Sequence, residues 1–258
     1  MNLPRVSPKL VAAVKIPLPP LPEQRRIADI LDRAEALQAK RRSTLAQLDE
    51  LTRAIFLDMF GGQNYQSRSL DSVVRDDTIV TYGIVQAGEE YPEGVPYIRT
   101  GDIVGGEVRL TGLRHTDPAI AARFQRSRVE AGEIVMSIRA TVGTCALVPP
   151  ALHGANLTQG TARISPGKPV NNFYLLHFIR SDTAQQWIER ETKGITFREI
   201  TLNRLRQLPV PLPPLSLQQE FARRVQAIDR LKTLHRQSLA QLDALFQSLQ
   251  HRAFRGEL

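Results

Sequence analysis

The sequence predicts an α/β protein of the α+β kind, in which one mixed, β-rich domain is carried on a long antiparallel two-helix coiled-coil stalk. Three observations predict it. A segment near the N-terminus recurs near the C-terminus, each copy runs on into an apolar stripe of helical spacing, and the residues between the copies form short β-rich runs broken by Gly and Pro. With 258 residues, 42% of them hydrophobic and 23% charged, the chain can bury a real core, and its composition excludes the collagen-like and disordered classes.

The recurring segment is Pro17-Leu18-Pro19-Pro20-Leu21, which returns as Pro211-Leu212-Pro213-Pro214-Leu215 at an offset of 194 residues. At that offset, without a gap, Gln24 falls on Gln218, Ala28 on Ala222, Arg42 on Arg236, the run Leu45 to Asp49 on Leu239 to Asp243, and Phe60 on Phe254. The match begins upstream, with Val6 on Ile200, Val11 on Leu205, Val14 on Leu208 and Ile16 on Val210. Residues 1–21 are therefore expected to be the remnant of a domain's end followed by a proline-rich lead-in, and 22–62 a first spacer helix. Residues 63–210 are the central domain, and 211–258 a second lead-in and spacer helix.

Each helix follows prolines that cannot continue a helix and is free of Pro and Gly until glycines close it. The first carries Ile27, Leu31, Ala34, Leu37, Leu45, Leu48, Leu51 and Ile55 at spacings that are mostly three or four, and the second Phe221, Val225, Ile228, Leu231, Leu239, Leu242, Leu245 and Leu249. A stripe sustained over several heptads calls for a partner helix, and the connectivity makes the pair antiparallel. The expected seam is Ile27, Leu31, Leu45, Leu48 and Leu51 against Phe221, Val225, Leu239, Leu242 and Leu245. About 36 residues at 1.5 Å rise make a spacer of roughly 50 Å. Arg41 and His235 interrupt the two stripes at equivalent positions. They can set register in a seam or reach solvent at its edge. In the central stretch, Val95 to Ile98, Glu133 to Ile138 and Thr144 to Val148 read as strands, and residues 171 to 190 as one closing helix.

The net charge of +8 and pI near 10.0 favour a polyanionic partner, most often nucleic acid. Residues 63–210 hold 17 basic and 15 acidic side chains, so only their distribution is informative. Arg109, Arg114, Arg123, Arg126 and Arg128 are opposed in their own stretch by Asp117 alone, which suits phosphate contacts or an ordinary solvated face. Arg99, Arg139, Gln159 and Arg198 have the donors and acceptors for base edges and lie at turns, where an arginine can equally anchor the backbone. Tyr82, Thr100, Thr141, Lys193 and Thr196 complete the candidate DNA-binding set. No catalytic group, metal site or cofactor is expected. The chain has no phosphate-binding GxxxxGK[ST] run, its five histidines lack metal-ligand spacing, and Cys145 alone can form neither a disulfide nor a cysteine-based zinc site. No apolar run approaches the roughly 18 residues of a membrane span and no leader pattern is present, so a cytoplasmic protein is expected.

Three segments resemble the specificity subunits of type I restriction-modification systems. They are the lead-in Ile16-Pro17-Leu18-Pro19-Pro20-Leu21-Pro22-Glu23-Gln24-Arg25-Arg26-Ile27-Ala28, the stretch Gly94-Val95-Pro96-Tyr97-Ile98-Arg99-Thr100-Gly101-Asp102-Ile103, and Ser137-Ile138-Arg139-Ala140-Thr141-Val142-Gly143 followed by Asn156, Gln159-Gly160 and Thr161. The resemblance implies a non-enzymatic reader of double-stranded DNA whose helices dock methyltransferase subunits and, with them, a translocating nuclease. It also implies two target-recognition domains on two helical spacers, where this chain has one domain, so a homodimer reading a split palindrome is expected. A specificity subunit of another restriction-modification type and a truncated, non-reading scaffold remain the alternatives.

Overall fold

The computed structural model describes residues 7–13, 18–195 and 197–257. The elements are helices α1 (Pro8–Ala12) and α2 (Leu21–Phe60), then strands β1 (Ser67–Ser69), β2 (Thr81–Tyr82), β3 (Val95–Ile98), β4 (Ile103–Val104), β5 (Glu107–Val108) and β6 (Arg114–Thr116). Helix α3 (Pro118–Arg123) leads to strands β7 (Ile134–Ser137), β8 (Cys145–Leu147), β9 (Asn156–Leu157) and β10 (Thr161–Ile164). Helices α4 (Asn172–Arg180), α5 (Asp182–Glu191) and α6 (Leu202–Leu205), strand β11 (Pro209–Pro211) and helix α7 (Leu215–Arg255) complete the chain. Val6, Val14, Ile16, the Leu10 side chain and Thr196 lie outside the described residues.

The chain divides into two compact units, one of residues 52–226 and one of the segments up to Leu51 and from Ala227. The division falls inside the long helices because their ends belong to the domain's core. Phe56 and Phe60 of α2, Tyr174 of α4 and Phe221 of α7 form one aromatic cluster with ring centroids 4.8 to 5.9 Å apart, each such pair contributing about 0.5–1.5 kcal/mol beyond its burial. The fully buried Gln218 accepts from the Asn171 N–H at 2.8 Å and donates to the carbonyls of Pro213 and Pro169. It bolts the second proline run to the start of α4.

In the domain, a four-stranded antiparallel sheet of order β2-β10-β7-β8 stands beside a three-stranded sheet of order β6-β3-β9, in which β3 and β9 are parallel. β7 is buried on both faces, so it reads Ile-Val-Met rather than alternating with polar residues. Ile134 and Met136 face the core shared with α4, α5 and the aromatic cluster, while Val135 faces a second core with Ile98, Val148 and Leu157. The single helix expected over 171–190 is two. Ser181 adopts an extended conformation, its hydroxyl donates to the Phe178 carbonyl, and it caps α5 by accepting from Ala184, because a serine offers the backbone an alternative to continuing the helix.

In the other unit α2 and α7 pair antiparallel, with the Gln38 side chain donating to the Leu242 carbonyl and Lys232 meeting Asp49 at 2.8 Å. The seam departs from the expected stripe. Leu51 (46% exposed) and Leu245 (51%) face solvent, as do Leu37 and Leu231. Gln38 and Lys232 are buried instead, Phe246 is half-buried, and Thr52, where α2 passes into the domain's unit, is buried too. The reason is periodic. Positions 27, 31, 34, 38, 41, 45, 48, 52 and 55 alternate steps of four and three, as do 221, 225, 228, 232, 235, 239, 242, 246 and 249, and that 3.5-residue repeat keeps a seam facing its partner. Choosing the leucine one position earlier leaves the seam. Arg41 and His235 meet inside it, Arg41 NH1 to His235 Nδ1 at 3.0 Å. These are repeat-equivalent residues, so the copies face each other across a local two-fold relation.

Candidate nucleic-acid interface

Strand pairing gathers the candidate residues. β10 runs antiparallel to β2 and β7, with Ala162 opposite Tyr82 and Thr161 opposite Ser137. β9 runs parallel to β3, with Tyr97 opposite Asn156, and a tight turn joins it to β10. The C-terminal ends of β2, β3, β7 and β9 and the start of β10 therefore share one rim. Backbone bonds lace it together: Gln159 N–H to Ile84 O at 2.9 Å, Thr158 N–H to Ile98 O at 3.2 Å and Ile138 N–H to Gly160 O at 2.9 Å. A Cβ at Gly160 would lie 3.0 Å from the Thr100 methyl and 3.9 Å from the Arg139 Cβ, so a glycine there lets the loops after β3 and β7 close on the β9–β10 turn. A hairpin joins from the far side. Lys193 and Glu199 exchange two backbone bonds of 2.9 Å, and the Ala140 N–H donates to the Arg198 carbonyl at 3.0 Å.

Eight of the candidates thus lie on this rim: Tyr82, Arg99, Thr100, Arg139, Thr141, Gln159, Lys193 and Arg198. Arg126 is exposed on the turn Gln125–Ser127 next to β2. That turn is held by Arg163, which donates to the Arg126 carbonyl at 3.1 Å while the buried Glu133 takes its guanidinium at 2.7 and 2.8 Å. Thr196 is outside the described residues. The loop after β7 bears Ala140 at φ 58°, a left-handed conformation that a non-glycine residue holds at a cost of about 1–3 kcal/mol and that is sustained here by the hairpin bond.

The rim arginines are not bare. Arg99 binds Asp102 through Nε and NH2, both at 2.9 Å, and the same carboxylate accepts the Arg99 N–H. Asp102 is 2% exposed, so Arg99 anchors its turn, and the carboxylate holds the guanidinium firmly charged. Arg139 donates to Glu199 at 3.0 Å, and Arg198 is paired with Glu189. In the wider arginine stretch, Arg114 is engaged by Glu90 at 2.9 Å and Arg128 by the Gly154 carbonyl at 3.2 Å, while Arg109, Arg123 and Arg126 are exposed. The Glu90 carboxyl is held below its ordinary range, first by the His115 backbone N–H and then by Arg114. Sequence reasoning missed these carboxylates. Asp102 stands three residues from Arg99 and was findable as a local pair, whereas Glu199 is sixty residues from Arg139 and left no local signal. Among the described residues no cluster of His, Cys, Asp or Glu could hold a metal ion, and no helix is long and apolar enough to cross a membrane.

Five strand ends thus share one rim of a sheet-built domain whose residues fall, in sequence, between the two copies of the repeat. The chain belongs to the family described as the type I restriction modification DNA specificity domain, which it matches over residues 2–48 and 82–244. It is 28% identical to the EcoBI type I restriction enzyme specificity subunit of Escherichia coli, over 98% of this chain and 60% of that protein. It is 24% identical to the putative MjaX specificity subunit of Methanocaldococcus jannaschii, over 95% of this chain and 59% of that protein. The fold is shared with the HsdS subunit of Thermoanaerobacter tengcongensis (TM-score 0.52, 20% identity, all of this chain and 64% of that one). A chain from a structure of the type I R-M system, solved for its complex assembly and conformational transition, is similar too (TM-score 0.55, 22% identity, 94% and 62% covered). The chain spans about three fifths of the length of these curated relatives.

Proposed function

We propose that this chain reads half of a bipartite sequence in double-stranded DNA through the rim built on Thr100, Arg139 and Gln159, and performs no catalysis itself. The observation that carries the reading is the convergence of five strand ends, which brings residues scattered from position 82 to 198 onto one edge. Arg126 contacts phosphate. Arg139 contacts a base edge, its guanidinium oriented by Glu199 through Nε and NH2 with further N–H donors left over. The helices dock methyltransferase subunits, which supply methyl transfer and bring a translocating nuclease. The repeat-related pairs Leu37/Leu231 and Leu51/Leu245, exposed beside the seam, support that docking, since apolar surface of this kind marks interaction sites.

Association of two chains is supported by unequal coverage of the two repeats. Val11, Leu18, Leu21 and Phe254 are all at least 60% exposed. Of their counterparts Leu205, Leu212, Leu215 and Phe60, the first and last are buried and Leu212 packs against the core. A homodimer would cover these exposed positions, which come from both copies, and present two identical heads.

The experiment is a binding series across single-base variants of a methylated motif mapped in cells carrying this chain and its methyltransferase. Arg139→Ala should cost about 1–3 kcal/mol on the motif and relax preference at one base pair. Arg126→Ala should weaken all duplexes alike and lower the salt slope by about one. Equal loss on every duplex for Arg139→Ala would demote it to positioning, and no sequence preference in the wild type would leave the non-reading scaffold.

A further inference from the structure

The hairpin closing the rim carries two side chains that a folded domain ordinarily hides. Ile195 is 99% and Phe197 87% exposed, the two most exposed of the large hydrophobic residues described. Their exposure is built in. Lys193 and Glu199 pair at the hairpin's foot, Arg198 is tied by its carbonyl to Ala140, and Glu199 is bridged to Arg139. Gly194 holds φ +86°, and a Cβ there would come within 2.3 Å of the Phe197 carbonyl. The turn is too tight to carry a side chain at position 194, and its foot is tied to the rim through Arg198 and Glu199.

We propose that Ile195 and Phe197 form an apolar wedge that enters a base step of the bound duplex beside the bases read from the rim. This rests on the DNA-reading function proposed above. Two features select nucleic acid as the occupant. The hairpin is continuous with the rim that carries Arg139, Thr141 and Gln159, so a duplex lying on those residues meets its tip. Its foot carries the exposed Lys193, with no carboxylate at ion-pair distance among the described residues, a cation that suits the phosphates flanking an opened step. Proteins that bind the minor groove frequently insert apolar side chains, Phe and Ile among them, between base steps, unstacking them and kinking the duplex. A wedge of this kind adds preference for flexible pyrimidine–purine steps at a position that no polar group reads.

The test uses the purified full chain and a pool of randomised duplexes, from which bound sequences are selected and the enriched motif is resynthesised with 2-aminopurine at successive positions. On the wild type, fluorescence should rise at one step as the base unstacks. Phe197→Ala should abolish that rise and weaken binding to the motif by about ten- to a hundredfold, with an unchanged salt slope and unchanged far-ultraviolet circular dichroism. Ile195→Ala should do the same to a smaller extent, and Phe197→Leu should restore part of the rise. If no motif is enriched, the wedge falls together with the reading function. If a motif is enriched but no position brightens and Phe197→Ala binds it as the wild type does, the wedge alone falls. If Phe197→Ala spares DNA binding and removes methyltransferase binding, the tip is a protein-docking element and the wedge is wrong.

Discussion

Arg99 illustrates how one side chain can satisfy the chemistry of a base reader and still be occupied elsewhere. Its guanidinium neutralises a carboxylate that is almost fully buried, and removing one partner of such a pair leaves an uncompensated charge in a poorly solvated place, at a cost of about 3–5 kcal/mol. Arg99→Ala should therefore lower the domain's melting temperature, whereas Arg139→Ala, whose pair with Glu199 is about two-fifths exposed on both sides, should change stability by no more than about 1 kcal/mol. Thermal denaturation of the two variants decides this. A melting temperature unchanged by Arg99→Ala would return Arg99 to the base-reading set.

At the scale of elements, the long helices obey their heptad geometry rather than their leucine content. Gln38, Arg41, Thr52, Lys232 and His235 occupy seam positions that an all-apolar coil would fill with leucine, and polar groups there can specify register and orientation at some cost in stability. Leu48→Asp and Leu242→Asp place a charge among half-buried seam residues and should each cost several kcal/mol. Leu51→Ala and Leu245→Ala, outside the seam, should stay within about 0.5 kcal/mol. Denaturant titrations followed by helicity check the contrast. Equal losses for Leu51→Ala and Leu48→Asp would contradict the observed register. The domain's elements follow a different rule, because β7 is legible as a strand from its buried run, while the break at Ser181 depends on a hydroxyl choosing the backbone over solvent.

For the whole molecule, the decisive feature is a repeat whose copies have unequal surroundings. The Gln218 side chain makes three bonds to the proline run and to the segment entering α4, while among the described residues the side chain of Gln24, its counterpart, bonds to its own proline run, at 2.8 Å to Pro19. The two glutamines, equivalent by the repeat, thus have unequal surroundings. If a second chain supplies the cover with two-fold symmetry, light scattering on the chain, alone and with its methyltransferase, will give a dimer, and the methylated motif will be a split palindrome. A monomer in both samples, or an asymmetric motif read by this chain alone, would refute the dimer and leave a half-reader that borrows its second head.

The repeat, the two long helices and the β-rich stretch between them were determined by sequence alone, because proline runs, heptads and short apolar strands are local patterns that survive without knowledge of what they touch. The family resemblance was legible for the same reason. Tertiary structure decided which heptad residues face the partner, since a seam is a property of two helices and a leucine one step away looks equivalent in one. It also decided which arginines are occupied, since Glu199 reaches Arg139 only after β7 and the hairpin are laid side by side. And it alone exposed Ile195 and Phe197, because hydrophobic residues are assigned to the core by default, and only a closed hairpin held by its foot keeps them in water.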